Sequence, residues 1–472
     1  MRVAASLSAA ALAAISVALF LGSSTSAAPR ASAADWTRFG WDAVRTSAPT
    51  FSTGISAANV ASLHRQQVQL DGTVDSSPIY LSGVTVGGAT HDVFFVTTTY
   101  GKTEAVDAAN GAVLWRFTPP GYSSWAGSPQ ITTATPVADP SRSSIYAAAP
   151  NGRIYKLSVA NGQALWSVSI TRLPSREKIA AALNFAGGNV IATTGGYIGD
   201  APPYQGHVAV ISAGGRLLHV WNSLCSNRHA LLNPSSCGAS DSAIFGRAGA
   251  VVDPSTRQLL VATGNAPWDG RTNWGDAVLR LTPTATALVG NYTPTNTEQL
   301  NVTDTDLGST SPFVLGANFI GQGGKDGKIR LLSVKRMRGT AGHKGGELQI
   351  VSTPSGTDLF TAPAVWHRSN VTLVFVADNG GTQAWRFRNG RLSSAWRNTT
   401  GGTSPVVAGG LLWVYDPAGG LNVYVPGTGK RLATLPAGSG HWNSPIVVDG
   451  RVALPEGNAN DHATSGVLDI WR

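Results

Sequence analysis

Charge is scarce in this sequence. Asp, Glu, Lys and Arg make up 13% of its 472 residues, about half the usual share of a globular chain. Past the N-terminus, Glu, Lys and Arg pairs at helical spacing are almost missing, which excludes a coiled coil or helical bundle. Cysteine is scarcer still. Cys225 and Cys237 are the only two, so there is no Cys-x-x-Cys-His haem motif and no paired cysteine spacing for zinc. The nine histidines form no His-Glu-x-x-His, and no Gly-x-Ser-x-Gly elbow occurs. Glutamate is sparse and no carboxylate pair stands out, so glycoside hydrolysis has no support from spacing. What is abundant is 42% hydrophobic residues, 55 Gly, 26 Pro and 14 Trp. That is ample core material broken by many turns, and it points to an all-β chain.

Arg2 is followed by an uncharged run, residues 3–22, rich in Ala, Leu, Val and Ile. By length alone the run suits a membrane helix. Its place behind a basic residue, the small residues at 23–28 and the Ala31-Ser32-Ala33 motif fit a signal peptide, expected over 1–33, with one domain over 34–472. No cysteine lies near the run, so no lipid-modified N-terminal cysteine is expected, and no later run is long enough to span a bilayer. The expectation is an extracytoplasmic, monomeric protein. In that compartment two cysteines read as a Cys225–Cys237 disulfide. The formal net charge is +9 but scattered. The densest cluster, Lys335-Arg336-Met337-Arg338, lacks interleaved aromatics, so no nucleic-acid partner is expected.

The informative pattern is repetition. Short β-like runs start near Ser77-Pro78, Thr135-Pro136, Ala181-Ala182, Ala248-Gly249, Ser311-Pro312, Ala362-Pro363, Ser404-Pro405 and Ser444-Pro445. Asn110-Gly111 lies between two β runs, a hairpin signal, and Trp115 follows. Asn161-Gly162 with Trp166 repeats the arrangement. Asn389-Gly390 with Trp396 is two residues longer. Ala433 and His219 occupy the Trp slot in two further copies. Each unit exposes apolar surface on both faces and needs like neighbours to bury it. Eight starts predict an eight-bladed propeller of four-stranded blades. Strand 466–471 is expected to pair with an N-terminal strand and close the ring.

The stretch Ala105-x-Asp107-x-x-Asn110-Gly111-x-x-x-Trp115 resembles the tryptophan-docking repeat of the pyrroloquinoline quinone (PQQ) propeller family. That family includes PQQ-dependent alcohol dehydrogenases and the non-enzymatic outer-membrane assembly propeller. Residues 35–46, with Asp35-Trp36 and Arg45-Thr46, are similar to its first N-terminal strand. The resemblance implies a secreted quinoprotein oxidoreductase acting on a small alcohol or sugar, with PQQ and Ca²⁺ as cofactors and no haem. It also implies the alternative of a non-catalytic scaffold that binds a protein, peptide or glycan in the cell envelope.

The resemblance further implies roles for particular residues. Asn265, in Thr263-Gly264-Asn265, would ligate Ca²⁺ and border the cofactor. Asp304, and after it Asp306, would be the catalytic aspartate, with Asp304 also a calcium ligand. Lys325, in Gly324-Lys325-Asp326-Gly327, would touch the quinone. These types suit the chemistry, because Ca²⁺ takes oxygen donors and an aspartate can accept an alcohol proton. The same residues also read as turn formers. Tyr197 stands where the enzymes carry a calcium-binding Glu, with Asp200 three residues on as the nearest substitute, and no tryptophan near Phe245-Gly246-Arg247 would floor the quinone.

Overall fold

The computed structural model describes residues 1, 34–197 and 200–472; the leader expected at 1–33 falls outside them apart from Met1. Residues 34–472 form one compact unit. Among the described residues, all but two of the 34 strands belong to eight four-stranded antiparallel sheets. The only α-helix among the described residues is Thr297–Val302. Blades 1 to 7 span residues 79–117, 137–169, 184–222, 251–292, 313–352, 364–398 and 406–435. Blade 8 takes three strands from 446–471 and its outermost one from Arg65–Leu70. All eight expected blade starts fall within three residues of an innermost strand.

Closure follows the expected route. Strand Arg65–Leu70 pairs antiparallel with Gly466–Trp471, Val68 opposite Leu468. Arg65 bridges Glu456 at 2.6 Å and the fully buried Asp469 at 2.8 Å, tying three strands of that blade. The segment 35–47 precedes that closing strand. It makes one β-bridge, Trp36 with Tyr80, and then passes beneath the innermost strands. Its carbonyls accept from Ala138, Val252, Val365 and Val407 through Thr37, Ala43, Thr46 and Ser47, all near 2.8–2.9 Å. Buried Arg45 donates to Phe39 O at 2.6 Å and Leu183 O at 2.8 Å. Left-handed backbone at Trp41, Arg45 and Ser47 turns the chain tightly enough to visit these blades in succession.

Consecutive residues of a strand face opposite sides, and here each side meets a different neighbour. Ile79 packs with blade 2, Tyr80 with blades 7 and 8. Val252 packs with blade 3, Val251 with blade 5. Val365 packs with blade 5, Ala364 with blade 7. Both faces of every blade are therefore inside, which explains unbroken apolar runs such as residues 93–96. The small residues before each strand sit where eight strands converge: Ser77, Thr135, Ala181, Ser404 and Ser444 are all buried.

The tryptophans pin neighbouring blades. Trp115 of blade 1 donates its indole N–H to Val159 O at 2.8 Å in blade 2. A Cβ on Gly162, whose φ is +73°, would meet that indole at 2.5 Å. Trp166 repeats this on Ala213 O and Gly215, and Trp396 on Pro426 O and Gly429. Each hairpin glycine supplies a left-handed turn and a seat for the preceding blade's ring.

Candidate functional site

A cavity of about 320 Å³ opens among the loops that lead into the innermost strands, within the range of small-molecule sites. Its lining includes Asp75, Thr133, Ala180, Arg247, Ser309, Phe360 and His441, each a few residues before its strand. The 36–48 segment bonds further along those strands and contributes no residue to this lining. Asn265, Asp304, Asp306 and Lys325 all line this one cavity.

These four residues form a connected group. Lys325 Nζ lies 2.5 Å from Asp306 Oδ2 and 3.0 Å from Asp304 Oδ1. Asp306 is almost wholly buried, and the Asn265 backbone N–H donates to its Oδ1 at 2.7 Å. Gly264 permits this approach, because a Cβ there would collide with the Asp306 carboxylate. Burial raises the Asp306 carboxyl, with Lys325 and the Asn265 N–H opposing. Burial works to lower Lys325, but Asp306 and Asp304 outweigh it and hold the ammonium above its ordinary value. Asp304 has left-handed backbone and a side chain 58% exposed, towards the open side of the group.

The same lining also carries basic and aromatic residues. Lys178 comes from a two-stranded ribbon in which it pairs with Gly195. Its ammonium has no hydrogen-bond or ion-pair partner among the described residues, and burial pushes it down to about 8, with Asp75 opposing and Arg247 adding. Arg247 donates to Asp75 O at 2.6 Å; it makes no direct bond to a carboxylate among the described residues, though the Asp75 charge acts on it. The buried Asp75 carboxylate is taken up elsewhere, by His441 Nδ1 at 2.7 Å and the Trp442 N–H at 2.7 Å. Burial would raise Asp75, yet His441, Arg247 and Trp442 keep it below the usual carboxylate range. Phe245, Tyr197 and a Phe360–Trp442 pair, centroids 4.9 Å apart, supply flat apolar surface.

Two cations without a direct carboxylate partner, beside aromatic faces, fit a planar anion such as PQQ. A calcium ion fits less well. Among the described residues no three Asp, Glu, His or Cys groups converge on a metal position. Asp304 and Asp306 already share the Lys325 ammonium. Tyr197 donates its hydroxyl to Pro174 O at 2.8 Å, and Asp200 accepts from Tyr204 at 2.8 Å. Cys225 and Cys237 form the expected disulfide, Cα atoms 6.1 Å apart.

Eight blades, a ring closed by both chain ends and interlocked tryptophans decide the architecture. The fold is an eight-bladed β-propeller. Residues 55–226 match the family model of the outer membrane protein assembly factor BamB. Among solved structures, quinohemoprotein alcohol dehydrogenase ADHIIG from Pseudomonas putida HK5 is 15% identical, with TM-score 0.68, over 93% of this chain and 80% of that one. A europium-containing methanol dehydrogenase is 14% identical, with TM-score 0.66, over 93% and 98%. BamB from Moraxella catarrhalis is 14% identical, with TM-score 0.53, over 87% and 98%. At such identities the likeness is one of fold. No curated protein matches the sequence.

Sequence reasoning missed the basic side chains of this cavity. Lys178 and Arg247 sit in no motif, and His441 lies 366 positions from its partner Asp75. The one legible signal was place: Arg247, like His441, lies just ahead of a blade start.

Proposed function

We propose that this cavity is a cofactor and substrate site, and that the chain is an exported quinoprotein-type oxidoreductase acting on a small alcohol or sugar. The observation that carries the reading is convergence. Four residues 265–325 in the chain, spread over three loops, meet in one cavity that two cations also line, neither with a direct carboxylate partner among the described residues. Lys178 and Arg247 would hold the carboxylates of PQQ against the aromatic surface. PQQ, when bound, supplies the hydride acceptor. Lys325 opposes the effect of burial on Asp306, and Asp304, the more exposed, would take the hydroxyl proton of an entering alcohol, with Asp306 behind it. No step needs calcium. The two cysteines are joined, so covalent haem has no anchor here and electrons pass to a separate acceptor.

The test is a titration of purified protein with PQQ, followed by tryptophan fluorescence, with EDTA or with Ca²⁺. Dye-linked oxidation of alcohols and sugars follows on the same samples. Saturable quenching in EDTA and dye reduction are expected. Absence of both, with and without calcium, ends the enzyme reading. A second reading then stands, a scaffold for an envelope protein, peptide or glycan. It is favoured by Tyr197 in the place of the enzymes' Glu and by the assembly-factor match over 55–226.

A further inference from the structure

Lys178 is unusual for a lysine in a cavity wall. The ribbon 177–178/195–196 fixes its backbone, with Glu177 turned to the other side, where it is buried and accepts from the Gln205 N–H at 3.3 Å. The Lys178 side chain lines the cavity. The acidic groups lining the cavity make their direct bonds elsewhere: Asp75 with His441 and Trp442, Asp200 with Tyr204, Asp304 and Asp306 with Lys325, so that Asp75 acts on Lys178 only through its charge. Arg247 lines the same cavity, and among the described residues its only bonded acceptor is a backbone oxygen. An amine that is neither ion-paired nor hydrogen-bonded is free to act through its lone pair once deprotonated. Burial, which disfavours the ammonium, raises the fraction in that form.

We infer that Lys178 is a nucleophilic amine that condenses reversibly with small aldehydes or ketones bearing a carboxylate, with Arg247 receiving the carboxylate. The nitrogen lone pair forms the C–N bond while the carbonyl π pair moves to oxygen. Transfer of a proton from nitrogen to that oxygen gives a carbinolamine. Loss of its hydroxyl with the remaining N–H proton releases one water and leaves an imine. No oxidant or reductant is consumed, and hydrolysis reverses the step. The inference uses the cavity of the proposed oxidoreductase but does not require PQQ to bind there.

The experiment treats the full-length protein with glyoxylate or with neutral propanal at neutral pH, adds cyanoborohydride to fix any imine, and maps modified lysines by peptide mass spectrometry. Lys430, exposed and unpaired, is the internal reference. With glyoxylate, Lys178 is expected to be modified at least about tenfold faster than Lys430, as a lowered amine pKa predicts. Arg247→Met should remove most of the preference for glyoxylate over propanal. Because Arg247 also helps disfavour the Lys178 ammonium, propanal labelling of Lys178 is expected to slow as well, but by less than glyoxylate labelling. Labelling of Lys178 no faster than Lys430 overturns the inference, whatever the variant does. Equal labelling by both aldehydes removes the role of Arg247. PQQ quenching that persists alongside absent labelling would sink the amine chemistry while sparing the cofactor site.

Discussion

At the scale of single residues, buried ionisable groups set measurable dependences. Burial pushes the Asp276 carboxyl from 3.8 up to about 8 against the Leu307 N–H, with Asp306 adding. The folded chain keeps a proton that the unfolded chain sheds above 3.8. This contribution to stability is therefore complete only below that value and is lost as pH rises towards about 8. Glu177, raised by burial to about 7, acts in the same sense. His207, lowered by burial to about 4, acts oppositely: its contribution is present above 6.5 and fades as pH falls to about 4. Asp276→Asn should hold its Tm from about pH 5 to pH 8 better than the wild type does, read by thermal melts across that range. Lys325→Met strips the cation from a nearly buried Asp306 and should cost about 3 kcal/mol in denaturant unfolding. Asn265, Asp304, Asp306 and Lys325 were legible because each sits in a short family-like stretch. Lys178 was not, because what distinguishes it is the lack of a partner, a property of the assembled cavity.

At the scale of elements, the hairpin and the tryptophan are one device. Asp107 caps the turn by accepting from the Ala109 and Asn110 N–H groups at 2.7 and 3.1 Å, and Gly111 completes it in left-handed backbone. Gly162→Ala combines an unfavourable φ with a clash against Trp115 and should cost about 2–3 kcal/mol. Trp115→Ala should cost about 3–5 kcal/mol. The double variant should fall short of the sum by about 1 kcal/mol or more, since removing the ring relieves the clash. Additivity in that cycle would mean glycine and indole do not share a seat. Reducing the Cys225–Cys237 disulfide should remove about 2–3 kcal/mol, checked by melting with and without reductant.

At the scale of the whole molecule, stability depends on closing the ring. Arg65 lies between Glu456 and a fully buried Asp469, whose carboxyl burial pushes up to about 7, with Glu456 adding and Arg65 opposing. Arg65→Met leaves Asp469 buried without a cation and should lower stability by about 3 kcal/mol. Hydrogen exchange should accelerate first in 65–70 and 466–471, with the middle blades protected. Uniform acceleration across all eight blades would show that closure is not a weak point. The 36–48 segment adds a second fastening, because its carbonyls bond to blades far apart in sequence.

The sequence by itself determined the number of blades, their starting points, the hairpin turns and the pairing of the last strand with an early one. These follow from local causes: alternation, the steric freedom of glycine, and apolar surface on both faces of each unit. Only the tertiary structure decided where residues 35–46 run, which carboxylates share Lys325, and which cations stand without a partner. Those outcomes depend on distances between loops of different blades, and spacing along the chain does not encode them.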